Sequence, residues 1–93
     1  MRKTVEIEYV GIEDIQEITD DLYALMHDGH YASIDVSNVS DAVCVRVLIM
    51  LNGFDFGKEY DYQFEFYMTE DVDDLKAMNE CKSILKNLLV EEQ

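Results

Sequence analysis

Residues 43–54 read Val-Cys-Val-Arg-Val-Leu-Ile-Met-Leu-Asn-Gly-Phe, and the alternation that runs into Asn52-Gly53 decides the fold. Side chains alternate across a pleated strand, so Val43, Val45, Val47, Ile49 and Leu51 share one face, while Cys44, Arg46, Leu48 and Met50 take the other. Asn-Gly is the strongest short hairpin signal, because both central positions of a type I′ turn need positive φ. The pattern predicts a tight hairpin in which Leu51 faces Phe54 and Arg46 faces Glu59. In that register Phe54, Phe56, Tyr60, Tyr62, Phe64, Phe66 and Met68 join the valines on the inner face. Asp55, Glu59, Asp61, Gln63, Glu65 and Tyr67 point outward, and a slip of one residue would bury the acids. Lys58 is the one inward misfit, and Gly57 beside it marks a bulge or a longer loop.

On the N-terminal side, residues 3–10 alternate Val5, Ile7 and Tyr9 against Glu6 and Glu8, which predicts a first strand ended by Gly11. From Glu13 to Asp28 the period becomes helical, with Ile15, Ile18, Leu22, Leu25 and Met26 in one arc. Glu13, Asp14, Glu17, Asp20, Asp21 and Asp28 fill the opposite arc, and Gly29 supplies the stop. His30 to Ser37 reads as a strand with Ala32, Ile34 and Val36 inward and Tyr31, Ser33 and Asp35 outward. Beyond the hairpin, Thr69 is the expected N-cap of a second helix whose first turn is crowded by Glu70, Asp71, Asp73 and Asp74. Leu75, Met78, Cys81, Leu85, Leu88 and Leu89 form its buried stripe, with Lys76, Lys82 and Lys86 set towards its later turns. The order β-α-β-β-β-α predicts an α+β two-layer sandwich: an antiparallel meander with two helices on one face, the first strand at either edge. With no linker or repeat, residues 1–93 read as a single acidic domain.

The chain has no proline, four glycines and 48% apolar residues, enough for a packed core. Its 21 acids against 7 bases leave a net charge of −14, which opposes direct binding to nucleic acid or to an anionic membrane. The run from Val43 to Leu51 is broken by Arg46 and falls far short of the roughly 20 residues that span a bilayer. No signal-like apolar stretch follows Arg2 and Lys3, so the expectation is a soluble cytoplasmic protein with Cys44 and Cys81 as reduced thiols.

Catalytic patterns are weak. His27, Asp28 and His30, even with Cys44 or Cys81 recruited, straddle a helix end and lack a second ligand pair. Asp71-x-Asp73-Asp74 lacks the glycine and terminal glutamate of a calcium loop, and Asp55-Phe56-Gly57 stands without the rest of a kinase. Ser33, Ser37, Ser40 and Ser83 sit in no nucleophile elbow, and no glycine-rich phosphate loop is present. The expectation is a protein that is not an enzyme and uses no cofactor or metal.

The acids carry more information. The predicted outer sheet face holds Glu6, Glu8, Asp35, Glu59, Asp61 and Glu65, opposed by Arg46 and interleaved with Tyr31, Leu48, Met50 and Tyr67. On the first helix Glu13, Glu17 and Asp21 recur at four-residue steps, or roughly 6 Å of rise. Carboxylates so spaced on a rigid scaffold can occupy the Lys and Arg sites that hold phosphates. The candidate partner-binding residues are Asp35, Asp55, Glu59, Asp61 and Glu65 on the sheet and Glu13, Glu17, Asp20 and Asp21 on the helix.

A strongly acidic chain of this length, with a helix, a three-strand meander and a helix over residues 13–92, resembles the small phage-encoded anti-CRISPR proteins and other DNA mimics. The resemblance lies in layout and charge; no residue motif is shared, and the extra first strand is a departure. It implies an inhibitor that fills the basic nucleic-acid-binding surface of a nuclease such as a CRISPR effector, in a bacterial host. The same order is similar to that of double-stranded-RNA-binding domains, whose ligand a charge of −14 opposes. Two other readings use the same residues: an immunity protein or antitoxin neutralising a basic toxin, and a homodimeric assembly protein joined through Cys44, Leu48, Met50 and Tyr67.

Self-repulsion among the acids makes a direct prediction. The melting temperature should rise between low salt and about 0.3 M, where the Debye length is well under 10 Å. A flat or falling curve would show the acids to be locally compensated.

Overall fold

The computed structural model describes residues 8–91. Their order is helix α1 (Ile12–His27), strands β1 (Tyr31–Val39), β2 (Ala42–Met50) and β3 (Tyr62–Tyr67), and helix α2 (Val72–Glu91). The strands form one antiparallel sheet in the order β1-β2-β3. The helices pack on each other and on the sheet face that carries Ala32, Val45, Val47, Ile49 and Phe66, giving the expected α+β two layers. The strand expected over residues 3–10 lies for residues 1–7 outside the described residues. Glu8, Tyr9 and Val10 hold no regular structure, although Val10 is buried and its N–H donates to the Thr69 carbonyl at 2.8 Å.

α1 starts at Gly11, whose N–H donates to the Asp14 carboxylate at 2.9 Å, the reciprocal half of a capping box. It ends as predicted at Gly29, which takes φ +97°, a left-handed conformation that suits glycine. Ile15, Ile18, Leu22 and Leu25 are buried as the period requires. Met26 is exposed instead, and Asp21, expected outside, is buried. At α2 the cap is Asp71 and not Thr69: its carboxylate accepts the Asp73 N–H at 2.8 Å. Thr69 sits two residues outside, its hydroxyl accepting from the Asp71 N–H at 3.1 Å and donating to Asp74 at 2.6 Å.

The register of β2 against β3 departs from the tight-hairpin prediction. Val47 pairs with Phe64 where the Asn-Gly hairpin would place Lys58, so β3 is shifted six residues along the chain. Asn52 and Gly53 do adopt the positive φ values the turn demands, 67° and 102°. They turn the chain out into an eleven-residue loop, 51–61, between β2 and β3. The deciding cost is Lys58. In the tight register its ammonium would lie against Val47, which is fully buried, and an unpaired buried charge is far more costly than a longer loop.

Because the shift is an even number of residues, every side chain within the paired strands keeps its face. Val45, Val47, Ile49 and Phe66 remain inward, while Arg46, Gln63 and Glu65 remain outward. Arg46 therefore faces Glu65 rather than Glu59. Phe54, Phe56 and Tyr60, expected on the core face, belong to the loop, where both phenylalanines are exposed.

This register separates two phenylalanines of equal parity. Phe66→Ala should cost about 3–5 kcal/mol of stability, and Phe56→Ala less than about 0.5 kcal/mol, both measured by denaturant unfolding. In the two-residue hairpin Phe56 would face Ile49 in the core, and its truncation would carry the large cost.

Candidate functional site

On the outer face of the sheet, Asp35, Arg46 and Glu65 stand side by side across β1, β2 and β3. Arg46 Nη2 lies 3.3 Å from Glu65 Oε2 with the two side chains 55% and 50% exposed, a contact too wet to contribute much. Asp35 is exposed and makes no ion pair with a described residue. Cys44 and Met50 on this face are buried, and Leu48 and Tyr67 half-buried. Those four side chains therefore do not make an exposed apolar patch. Burial, followed by the charge of Glu65, pushes the Cys44 thiol up, away from the reactive thiolate.

The loop 51–61 holds the other sheet candidates and is closed by specific bonds. Asp61 Oδ2 accepts the Leu51 N–H at 2.7 Å, and the Asp61 N–H donates to the Ile49 carbonyl at 2.9 Å. Asn52 N–H donates to His30 Nδ1 at 2.9 Å. Asp55 Oδ1 accepts from the Gly57 N–H at 2.9 Å, and the Lys58 N–H donates to the Asp55 carbonyl at 3.2 Å. Asp55 and Asp61 thus shape the loop as well as charge it, while Glu59 is exposed and makes no such bond. Phe54 packs on Tyr31 with centroids 5.0 Å apart, and Phe56 stands edge-on to Phe54 at 4.8 Å. Tyr60 stacks on the other side of Tyr31 at 6.3 Å. Sequence reasoning missed this aromatic cluster because it assigned both phenylalanines to the core; the signal that could have found it was Lys58 among the inward positions.

α1 divides its acids between two tasks. Lys82 of α2 lies 2.5 Å from Asp14 Oδ1 and 3.3 Å from Glu17 Oε2. Lys86 donates to Asp21 Oδ1 at 3.2 Å and lies 2.9 Å from Oδ2 at an angle unsuited to a hydrogen bond. Glu17 and Asp21 therefore face α2 and are neutralised there. Glu13 and Asp20 remain exposed and outside any ion pair among the described residues. Burial pushes Asp14 up, but the Gly11 N–H and Lys82 outweigh it and leave its carboxyl below the ordinary 3.8. Lys82 is held above its ordinary 10.5: burial opposes the shift, and Asp14 and Glu17 overcome it. Cys81 behind them is pushed up to about 12, by burial and then by the charge of Asp21, so it serves as an apolar core residue.

The start of α2 is structural too. Asp74 accepts the Tyr67 N–H at 3.0 Å and the Thr69 hydroxyl at 2.6 Å, tying the end of β3 to the helix. A cleft beside Tyr9 is lined by Glu13, Asp14, Asn79 and Lys82, with the lysine already ion-paired. His27 is exposed and His30 buried, and among the described residues no three His, Cys, Asp or Glu side chains are grouped to hold a metal. No helix among the described residues is long and apolar enough to cross a membrane. The chain matches no protein-family model, and comparison with curated proteins finds no significant relative.

The helix clamp has a pH signature at each end. Asp14's carboxyl is depressed, so its contribution is complete above 3.8 and is lost as pH falls through its lowered value. Lys82's is raised, so its contribution is complete below 10.5 and is lost as pH rises through the raised value. Lys82→Gln should therefore make the stability of the folded state fall less steeply with pH at both extremes, measured by thermal unfolding across pH. Unchanged slopes would show the pair to be energetically idle.

Proposed function

We propose that this chain is an acidic inhibitor that occupies the basic nucleic-acid-binding surface of another protein, a nuclease in the first instance, through carboxylates standing where phosphates would lie. The observation that carries this reading is the division of charge. Lys82 and Lys86 are spent on Asp14, Glu17 and Asp21 between the helices. Asp35, Asp41, Asp55 and Glu59, on the sheet and its loops, stay exposed and outside any ion pair among the described residues. An array of uncompensated charge costs stability through self-repulsion and speeds encounter with a surface of opposite sign.

Five of the nine candidate acids have a second task within the fold: Glu17 and Asp21 pair with lysines, Glu65 lies beside Arg46, and Asp55 and Asp61 shape their loop. The mimicry is therefore assigned first to Asp35 and Glu59, joined by Asp55 and Glu65, whose internal contacts lie open to solvent, with Glu13 and Asp20 as a second patch on α1. Inhibition would be competitive, with fast, salt-sensitive association followed by exclusion of nucleic acid, and needs no cofactor.

The test is displacement of labelled duplex DNA from a panel of basic DNA-binding proteins that includes RNA-guided nucleases. The chain should displace DNA from at least one of them, less well as salt rises. The Asp35→Lys/Glu59→Lys variant should lose at least about tenfold in potency with its melting temperature little changed. Displacement from no member of the panel, or equal potency in the variant, would overturn the proposal. Neutralisation of a basic toxin without any DNA competition would instead assign the acids to an antitoxin.

A further inference from the structure

We infer that the 51–61 loop is the anchor of the interface, with Phe56 entering an apolar pocket in a basic protein partner. This rests on the proposed function and adds to it a second chemistry, because carboxylates alone recognise any basic surface. Phe56 is 95% exposed, more than any other large apolar side chain in the described structure. A lone exposed apolar residue is ordinary, but three further observations set this one apart.

The ring is held. The Asp55 side chain and carbonyl take the Gly57 and Lys58 N–H groups, fixing the turn that carries Phe56, and Asp61 closes the loop on Leu51 and Ile49. The ring is also backed by a stack: Phe56 rests edge-on against Phe54, which rests on Tyr31 of β1, itself flanked by Tyr60. An aromatic with two side-chain torsions and a fixed backbone loses little entropy on burial, which is the property of an interface anchor. Finally, the surround is acidic. In the exposed loop that carries the ring, Asp55, Glu59 and Asp61 outnumber Lys58.

That surround selects the occupant. A second copy would bring the same acids onto these, and an anionic bilayer or nucleic acid would meet the same repulsion. A protein pocket with an apolar floor and a basic rim satisfies both the ring and the carboxylates. Charge would then set the rate of association, and Phe56 the lifetime of the complex.

Two synthetic probes test this on the intact chain: an oligolysine peptide, and a lysine-leucine peptide of equal charge. Binding is followed by chemical-shift changes and by titration calorimetry. The lysine-leucine peptide should bind about 10- to 100-fold more tightly, with shifts centred on residues 53–60. Phe56→Ala should abolish that difference while leaving oligolysine binding intact; Asp35→Lys/Glu59→Lys should weaken both. Equal affinity for the two peptides, or a difference that survives Phe56→Ala, would overturn the anchor and leave the acidic surface standing. Failure of either peptide to bind would instead count against both. Dimerisation by sedimentation that Phe56→Ala abolishes would assign the ring to a second copy, and binding to neutral phosphatidylcholine vesicles would assign it to a lipid surface; either overturns the proposal.

Discussion

Lys58 cannot lie against Val47, and the rest of the sheet follows from that exclusion. Val47 lies on the central strand, fully buried in the same core cluster as Val45, Ile49 and Phe66. An ammonium placed there would need a carboxylate partner in a core cluster made of apolar side chains, whereas a phenylalanine fills the space and completes the apolar contact. Sliding β3 by six residues brings Phe64 opposite Val47 and releases Lys58 to solvent. The loop that results costs little closure entropy, since that cost grows only logarithmically with length. It also converts two phenylalanines from core residues into surface residues, and so produces the feature on which the anchor inference rests.

The helix layer is fixed by a different balance. Lys82 and Lys86 stand on one side of α2, and Asp14, Glu17 and Asp21 meet them from α1. Lys82 and Asp14 are each 22% exposed, partly sheltered from water, where a charge pair is screened less than at an open surface, whereas Lys86 is 56% exposed and its pair with Asp21 is more open. In a chain with 21 acids and 7 bases, committing two lysines to one helix pair leaves the remaining acids less compensated. Cohesion of the fold and the acidity of its surface thus draw on the same few cations, and the first limits how far the second is neutralised.

Much of the architecture was legible from pattern alone. Binary periodicity identified both helices and the three strands of the meander, and the switches between period two and period 3.6 marked the helix boundaries, but the third strand begins at Tyr62 and not at Phe54. The inside and outside of β2 and β3 were assigned correctly even though their pairing was not, because an even shift preserves parity. The acidic outer row of Asp35 and Glu65 was legible for the same reason. The functions of individual acids were not. Glu17, Asp21 and Asp61 look like Glu13, Asp20 and Glu59 in a sequence, and only the position of α2 and the path of the loop separate those with an internal partner from those without.

Read by itself, the sequence determined the type of the two helices and three paired strands, the two faces of the sheet and a surplus of negative charge, since each depends on local spacing or on composition. Tertiary structure decided the register, the length of the loop and which carboxylates are free, because these depend on contacts between segments distant along the chain. The Asn52-Gly53 turn shows the boundary between the two. Its backbone takes the positive φ values its residues favour, but where the returning strand pairs is settled by the cost of burying one lysine.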